Sequence, residues 1–305
     1  MAMEQVLGML FGLALGDALG APVEFLSVSE IKQKYPPTGI RELPEPARVT
    51  DDTLMTLAVA EALIAAGHQD LETFMAAVTR EFVAWLRSPD NVRAPGQACL
   101  YGVQQLEKGL SWRESGKPGA KGSGAAMRVA PIGYFYQHDL PRLRERARAT
   151  ALATHRHPVA EVAAVAAAFL VKVALDHPAP KDFLPALKAE VQGQAEDFDA
   201  ALKRLEKALT MISPEAGLAY IGDGWVAEEA VLAALYCFLI YPYEFKAAIR
   251  LAANSGGDSD TIACLTGGIS GAYLGISHLP ADWVKRVEKS AYLEDVARRL
   301  VAARG

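Results

Sequence analysis

Glycines at positions 8, 12 and 16 punctuate an apolar run that extends from Met3 to Leu19. A spacing of four puts them on one face of a helix. Without side chains, that face lets a second backbone come close. The run therefore predicts a helix built to pack tightly on another. It closes in Gly16-Asp17-Ala18-Leu19-Gly20-Ala21-Pro22, where Gly20 and Pro22 stop the helix and leave Glu24 just beyond its end.

Helical periodicity dominates the rest of the chain. It predicts helices over Leu54–Ala66, Leu71–Leu86, Ala98–Leu106, Arg142–Thr154, Val159–Leu175, Trp225–Tyr241, Phe245–Ala253, Ile262–Leu274 and Ala281–Arg304, with another starting near Ala125 or soon after. Residues 176–210 are the most polar and least patterned, a surface excursion with one helix near Phe198–Leu209. No segment shows the alternation of a strand. The expectation is all-α, one multi-helix bundle over residues 1–305, and the abundant alanine suits close helix packing.

The net charge of −5 speaks against a nucleic-acid-binding face but leaves room for a nucleotide-like ligand held by backbone groups and cations. Cys99, Cys237 and Cys264 are widely spaced and form no CxxC or zinc pattern. The apolar stretch Val6–Gly16 is shorter than the ~20 residues that span a bilayer. Glu4 stands where a signal peptide carries positive charge. These features predict a cytoplasmic protein with reduced core cysteines and no membrane partner.

Two stretches carry more oxygen than their turns require. Asn254-Ser255-Gly256-Gly257-Asp258-Ser259-Asp260-Thr261 holds two carboxylates, three hydroxyls and an amide in eight residues. Thr50-Asp51-Asp52-Thr53 has the form of a helix cap with acids in the first turn. Each places threonine beside aspartates at a helix start. Brought into one cleft, Asp51, Asp52, Asp258 and Asp260 would repel unless cations neutralised them. Hard oxygen ligands of this kind suit Mg²⁺ or Mn²⁺, and two ions about 3.5–4 Å apart would serve.

Gly122-Ser123-Gly124-Ala125-Ala126-Met127-Arg128 reads as a ligand-approach loop, where glycines and helix-start amides accept phosphate oxygens. It is not a Walker loop, because Lys121 precedes the glycines. His155 and His157 are either ligand contacts or helix-end residues. Glu24 and Asp90 are lone loop acids, and Gly222-Asp223-Gly224-Trp225 is either a site element or a turn into a buried helix.

In their order along the chain, these motifs resemble the ADP-ribosylglycohydrolases. The resemblance rests on Gly16–Gly20 with Glu24, Thr50–Thr53, Gly122–Arg128, His155, Gly222–Ala230 and Asn254–Thr261, and runs from about residue 5 to about residue 275. It implies an orthogonal helical bundle around a cleft holding two Mg²⁺ or Mn²⁺ ions. Thr50, Asp51, Asp52, Asp258, Asp260 and Thr261 would be the ligands. Gly122, Ser123, Gly124, Ala125, Gly224 and His155 would hold ADP-ribose, with Glu24 or Asp90 managing the proton. The implied reaction is hydrolysis at C1″ of the distal ribose of an ADP-ribosylated protein or small molecule, releasing ADP-ribose. A nucleic-acid acceptor stays open. Ser123 departs from the family's usual asparagine. The alternative is a non-catalytic ADP-ribose-binding or crystallin-like structural member.

Overall fold

The glycine stripe finds its partner at the far end of the chain. In the computed structural model, which describes residues 2–305, the helix Ala2–Gly20 lies along the helix Ser259–Leu274. A Cβ added at Gly12 would sit 2.2 Å from the Gly267 carbonyl oxygen, and one at Gly267 would sit 2.0 Å from that of Gly12. Gly8 faces Gly271 and Gly16 faces Ala263 in the same way. The two backbones touch directly, so the helices are locked in register, with both buried over most of their length.

Around this pair the described residues form 17 α-helices and are 70% helical. The all-α expectation holds. The helices Pro158–Asp176 and Ala227–Ile240 pack beside Ser259–Leu274 and are themselves nearly all apolar and buried. Two segments, Ala2–Val23 and Pro158–Asp176, are long and apolar enough to cross a membrane by composition. Their most apolar windows are 83% and 78% buried inside the fold.

Three local expectations change. A short parallel pair joins Lys117–Pro118 to His155–Arg156. Two residues per strand, one of them proline, cannot display an alternation. The polar stretch after residue 176 contains a second helix, Phe183–Val191, which buries Phe183 and Leu187. The expected terminal helix is split into Ala281–Arg286 and Ser290–Arg304, with Lys289 in the left-handed region at φ 61°. At that break the Glu288 amide donates to the Ala47 carbonyl, and its carboxylate accepts from the Val49 amide and Arg93. Near Ala125 the chain makes only the turn Ser123–Ala125, and the helix begins soon after, as Ala130–Phe135.

Candidate active site and cation centre

One helix end and two helix starts meet at the floor of a cavity of about 460 Å³. Gly20, the last residue of the first helix, abuts Asp260, and an added Cβ would lie 2.4 Å from the Asp260 Cα. Helices Asp51–Ala66 and Ser259–Leu274 begin here. Their free amides and dipoles favour negative charge, so both starts accommodate acids.

The structure brings Glu24, Asp51, Asp52, Asp258, Asp260 and Thr261 to the wall of this cavity, facing Gly122, Ser123, Gly124 and His155. One oxygen from each of Glu24, Asp258 and Asp260 lies within 4.8 Å of the others. Glu24 owes its place to a backbone clasp. The Phe25 amide donates to the Gly257 carbonyl at 3.0 Å, and the Gly257 amide returns a bond to Leu26 at 3.1 Å. Gly257 adopts φ 73° and meets the Asp223 carbonyl so closely that a Cβ would come within 2.4 Å. Only glycine fits there. Phe25 itself sits at φ 69°, a conformation a bulky residue rarely takes.

The first helix contributes a residue without an assigned role in the sequence. Asp17 is fully buried and accepts from the Thr50 amide and hydroxyl and the Thr53 amide and hydroxyl. Its sequence signals are a charge in the apolar part of a helix and its place within the Gly16–Gly20 motif. Thr50 caps the helix Asp51–Ala66 and turns its hydroxyl to Asp17, so it stands behind the cavity wall. Asp51 accepts from the Gly96 amide at 3.1 Å. Ser123 donates to Asp258 at 2.6 Å.

Three other expected site residues lie elsewhere. Asp90 is not brought to the cavity; Lys289 donates to its carboxylate at 2.7 Å and Arg93 lies 3.7 Å away. Gly224 packs under the site, against Ile262 and the Asp258 Cβ. Ala125 is buried behind the glycines. His157 caps the helix Pro158–Asp176. Lys121 turns away to Glu228 and Asp197, at 2.8 Å each. At the rim the exposed rings of Phe25 and Trp225 stack at 5.3 Å. Phe25 follows Glu24 and Trp225 lies within the Gly222–Ala230 motif, but the two are not legible as a pair across two hundred residues.

No lysine or arginine lines the cavity among the described residues. Burial, reinforced by neighbouring carboxylates, raises the acids. Glu24 is pushed up to about 8 by its burial and then by Asp258, Asp51 and Asp17. Asp51 is pushed up to about 7, mainly by burial. Asp52 and Asp260 rise well above the usual range for the same reasons. Asp52 Oδ1 is buried without a partner. A set of crowded carboxylates, an orphaned oxygen and no basic counter-charge fit a hard divalent cation.

These features define an all-α protein with a buried acidic centre beneath a glycine-lined cavity. The family model for ADP-ribosylglycohydrolase matches residues 2–305. The chain is 30% identical to ADP-ribosyl-dinitrogen reductase glycohydrolase of Rhodospirillum rubrum, covering 98% of this chain and 95% of that protein. It is 27% identical to the ADP-ribosylarginine hydrolase Tri1 of Serratia proteamaculans, over 98% of this chain and 79% of that one. A solved structure titled ADP-ribosylglycohydrolase-related protein complex superposes with a TM-score of 0.76, at 25% identity and 99% coverage of both chains. The chain belongs to the ADP-ribosylglycohydrolase family, a family of hydrolases.

Proposed function

We propose that this protein is a divalent-cation-dependent hydrolase that cleaves the C1″ glycosidic bond of ADP-ribose attached to a protein side chain and releases ADP-ribose. The observation that carries the reading is the grouping of Glu24, Asp258 and Asp260 within 4.8 Å, opposite the Gly122–Gly124 loop. The acidic pole suits cations and vicinal ribose hydroxyls. The opposite pole offers backbone amides and His155 to phosphate oxygens. The relatives named for ADP-ribosyl substrates support the substrate class.

Asp51, Asp52, Asp258, Asp260 and Thr261 would hold Mg²⁺ or Mn²⁺, with Glu24 at the open side. Bound cations would neutralise the carboxylates, orient the sugar and stabilise developing negative charge. Glu24 is half-buried at the cavity wall, whereas Asp258 and Asp260 are buried, so Glu24 is the acid with access to the reacting bond. Its place beside the acidic centre, on the accessible side of the cavity, suits proton transfer to a bound substrate. As the C1″ bond breaks through an oxocarbenium-like state, Glu24 gives its proton to the leaving atom. It recovers one from the water whose oxygen bonds to C1″. The cytoplasm is the proposed setting.

A hydrolysis panel with ADP-ribosylated arginine and serine peptides, titrated with Mg²⁺ and Mn²⁺, tests this reading. Free ADP-ribose that depends on the cation and is lost in Asp258→Ala is the expected result. Binding of ADP-ribose with no release on any linkage would favour a non-catalytic member instead.

A further inference from the structure

Arg128 is fully buried, and its hydrogen-bond acceptors are carbonyl, hydroxyl and sulfur atoms. Its guanidinium lies 4.7 Å from the centre of the Phe82 ring. It donates to the Gly124 carbonyl at 3.0 Å, the Thr150 carbonyl at 2.7 Å and Thr154 Oγ1 at 2.7 Å. A guanidinium has donors only, so Thr154 Oγ1 must accept from it. The threonine keeps one hydroxyl proton to give.

Two acceptors stand within reach of that proton, His155 Nδ1 at 2.8 Å and the Ala151 carbonyl at 3.4 Å. The shorter bond is to the imidazole. The buried cation behind the oxygen also disfavours an N–H aimed back at it, because two positive ends would face each other. Nδ1 is therefore the acceptor, and the proton of the neutral ring belongs on Nε2. That nitrogen lies along the glycine loop, 3.5 Å from where a Cβ would stand on Gly122 or Gly124. It makes no hydrogen bond to protein among the described residues, and His155 lines the cavity.

We propose that Arg128 and Thr154 are positioning residues that fix His155 as a neutral Nε2–H donor. Through the bond from Arg128 to the Gly124 carbonyl, they set the glycine loop in the same frame. The donor is aimed at an anionic oxygen, a phosphate of the diphosphate-bridged nucleotide; that ligand rests on the proposed function, while the ring state does not. Burial and the charges of Arg128 and Lys117 hold the ring's pKa down to about 3, which agrees with a neutral ring. Neutrality matters because an imidazolium beside the cavity would pair with its carboxylates and compete with cations.

The test is a long-range proton–nitrogen correlation spectrum of the full chain labelled with ¹⁵N-histidine, at pH 7. His155→Gln identifies the signal among the six histidines. The expected His155 pattern is a protonated Nε2 and an unprotonated Nδ1. Thr154→Val should change that pattern and weaken ADP-ribose binding about tenfold, with Mn²⁺ binding unchanged. Thr154→Ser should restore both. A ring protonated on Nδ1, a doubly protonated ring, or an unaltered pattern in Thr154→Val would overturn the proposal. Wild-type protein with the assigned ring state and no affinity for ADP-ribose would uphold the positioning and overturn the ligand reading.

Discussion

Asp17 Oδ1 accepts the Thr50 hydroxyl at 2.9 Å, tying the end of the first helix to the cap of the helix that carries Asp51 and Asp52. The same carboxylate takes the Thr50 amide at 3.0 Å and the Thr53 amide at 3.2 Å. It acts as a bracket behind the acids. An amide at position 17 would turn one acceptor into a donor and leave part of this set unmatched. Asp17→Asn should weaken Mn²⁺ binding by about 10- to 100-fold, as for other residues that orient metal ligands. Isothermal calorimetry on the folded variant measures this, and unchanged affinity would refute the bracket.

Glu24 and Asp90 make opposite predictions. Glu24 lines the cavity, and Asp90 is ion-paired to Lys289 at 2.7 Å outside it. Glu24→Gln should lower kcat by about 10²- to 10⁴-fold while ADP-ribose still binds. Asp90→Asn should keep turnover within about twofold, since a partly exposed pair contributes little even to stability. Chromatographic assay of released ADP-ribose separates the two.

The raised acids fix a pH dependence of stability. Asp17 is pushed to about 6 by burial, Asp51 to about 7 and Glu24 to about 8, against ordinary values near 4. Without cations the folded chain holds protons that the unfolded chain has lost, so stability falls as pH rises from about 4 through 8. Melting temperature of chelator-treated protein should decline across that window. Mn²⁺ should raise it more at pH 8 than at pH 5.5, because the ionised carboxylates bind the cation. One site at a hundredfold excess over Kd contributes ~2.7 kcal/mol. A flat profile in chelator would contradict the assignment.

The glycine stripe predicts intolerance. A Cβ at Gly12 would fall 2.2 Å from a backbone oxygen, which cannot rotate away. Gly12→Val should cost about 3 kcal/mol or more, beyond an ordinary overpacked core, and displace the helix that carries Asp17. Thermal denaturation gives the loss, and Gly268→Ala, a helical site where an added Cβ comes no closer than 3.6 Å to Leu13 Cβ, serves as the comparison.

Much was legible because helices are local objects. The stripe at 8, 12 and 16, the cap at Thr50, and the long apolar runs each follow from spacing within a few turns. They define an all-α body, and its acid-rich helix starts stand out before any contact is seen. Tertiary structure decided what spacing cannot encode. It chose Glu24 over Asp90 as the cavity-lining acid, through a backbone clasp to Gly257. It put Asp17 behind Thr50, and linked Arg128 through Thr154 to His155. It also formed the two-residue strand pair that lays the glycine loop beside that histidine. The physical reason is the same in each case. A hydrogen bond between residues far apart in the chain, and the burial that sharpens it, leave no periodic trace in the sequence.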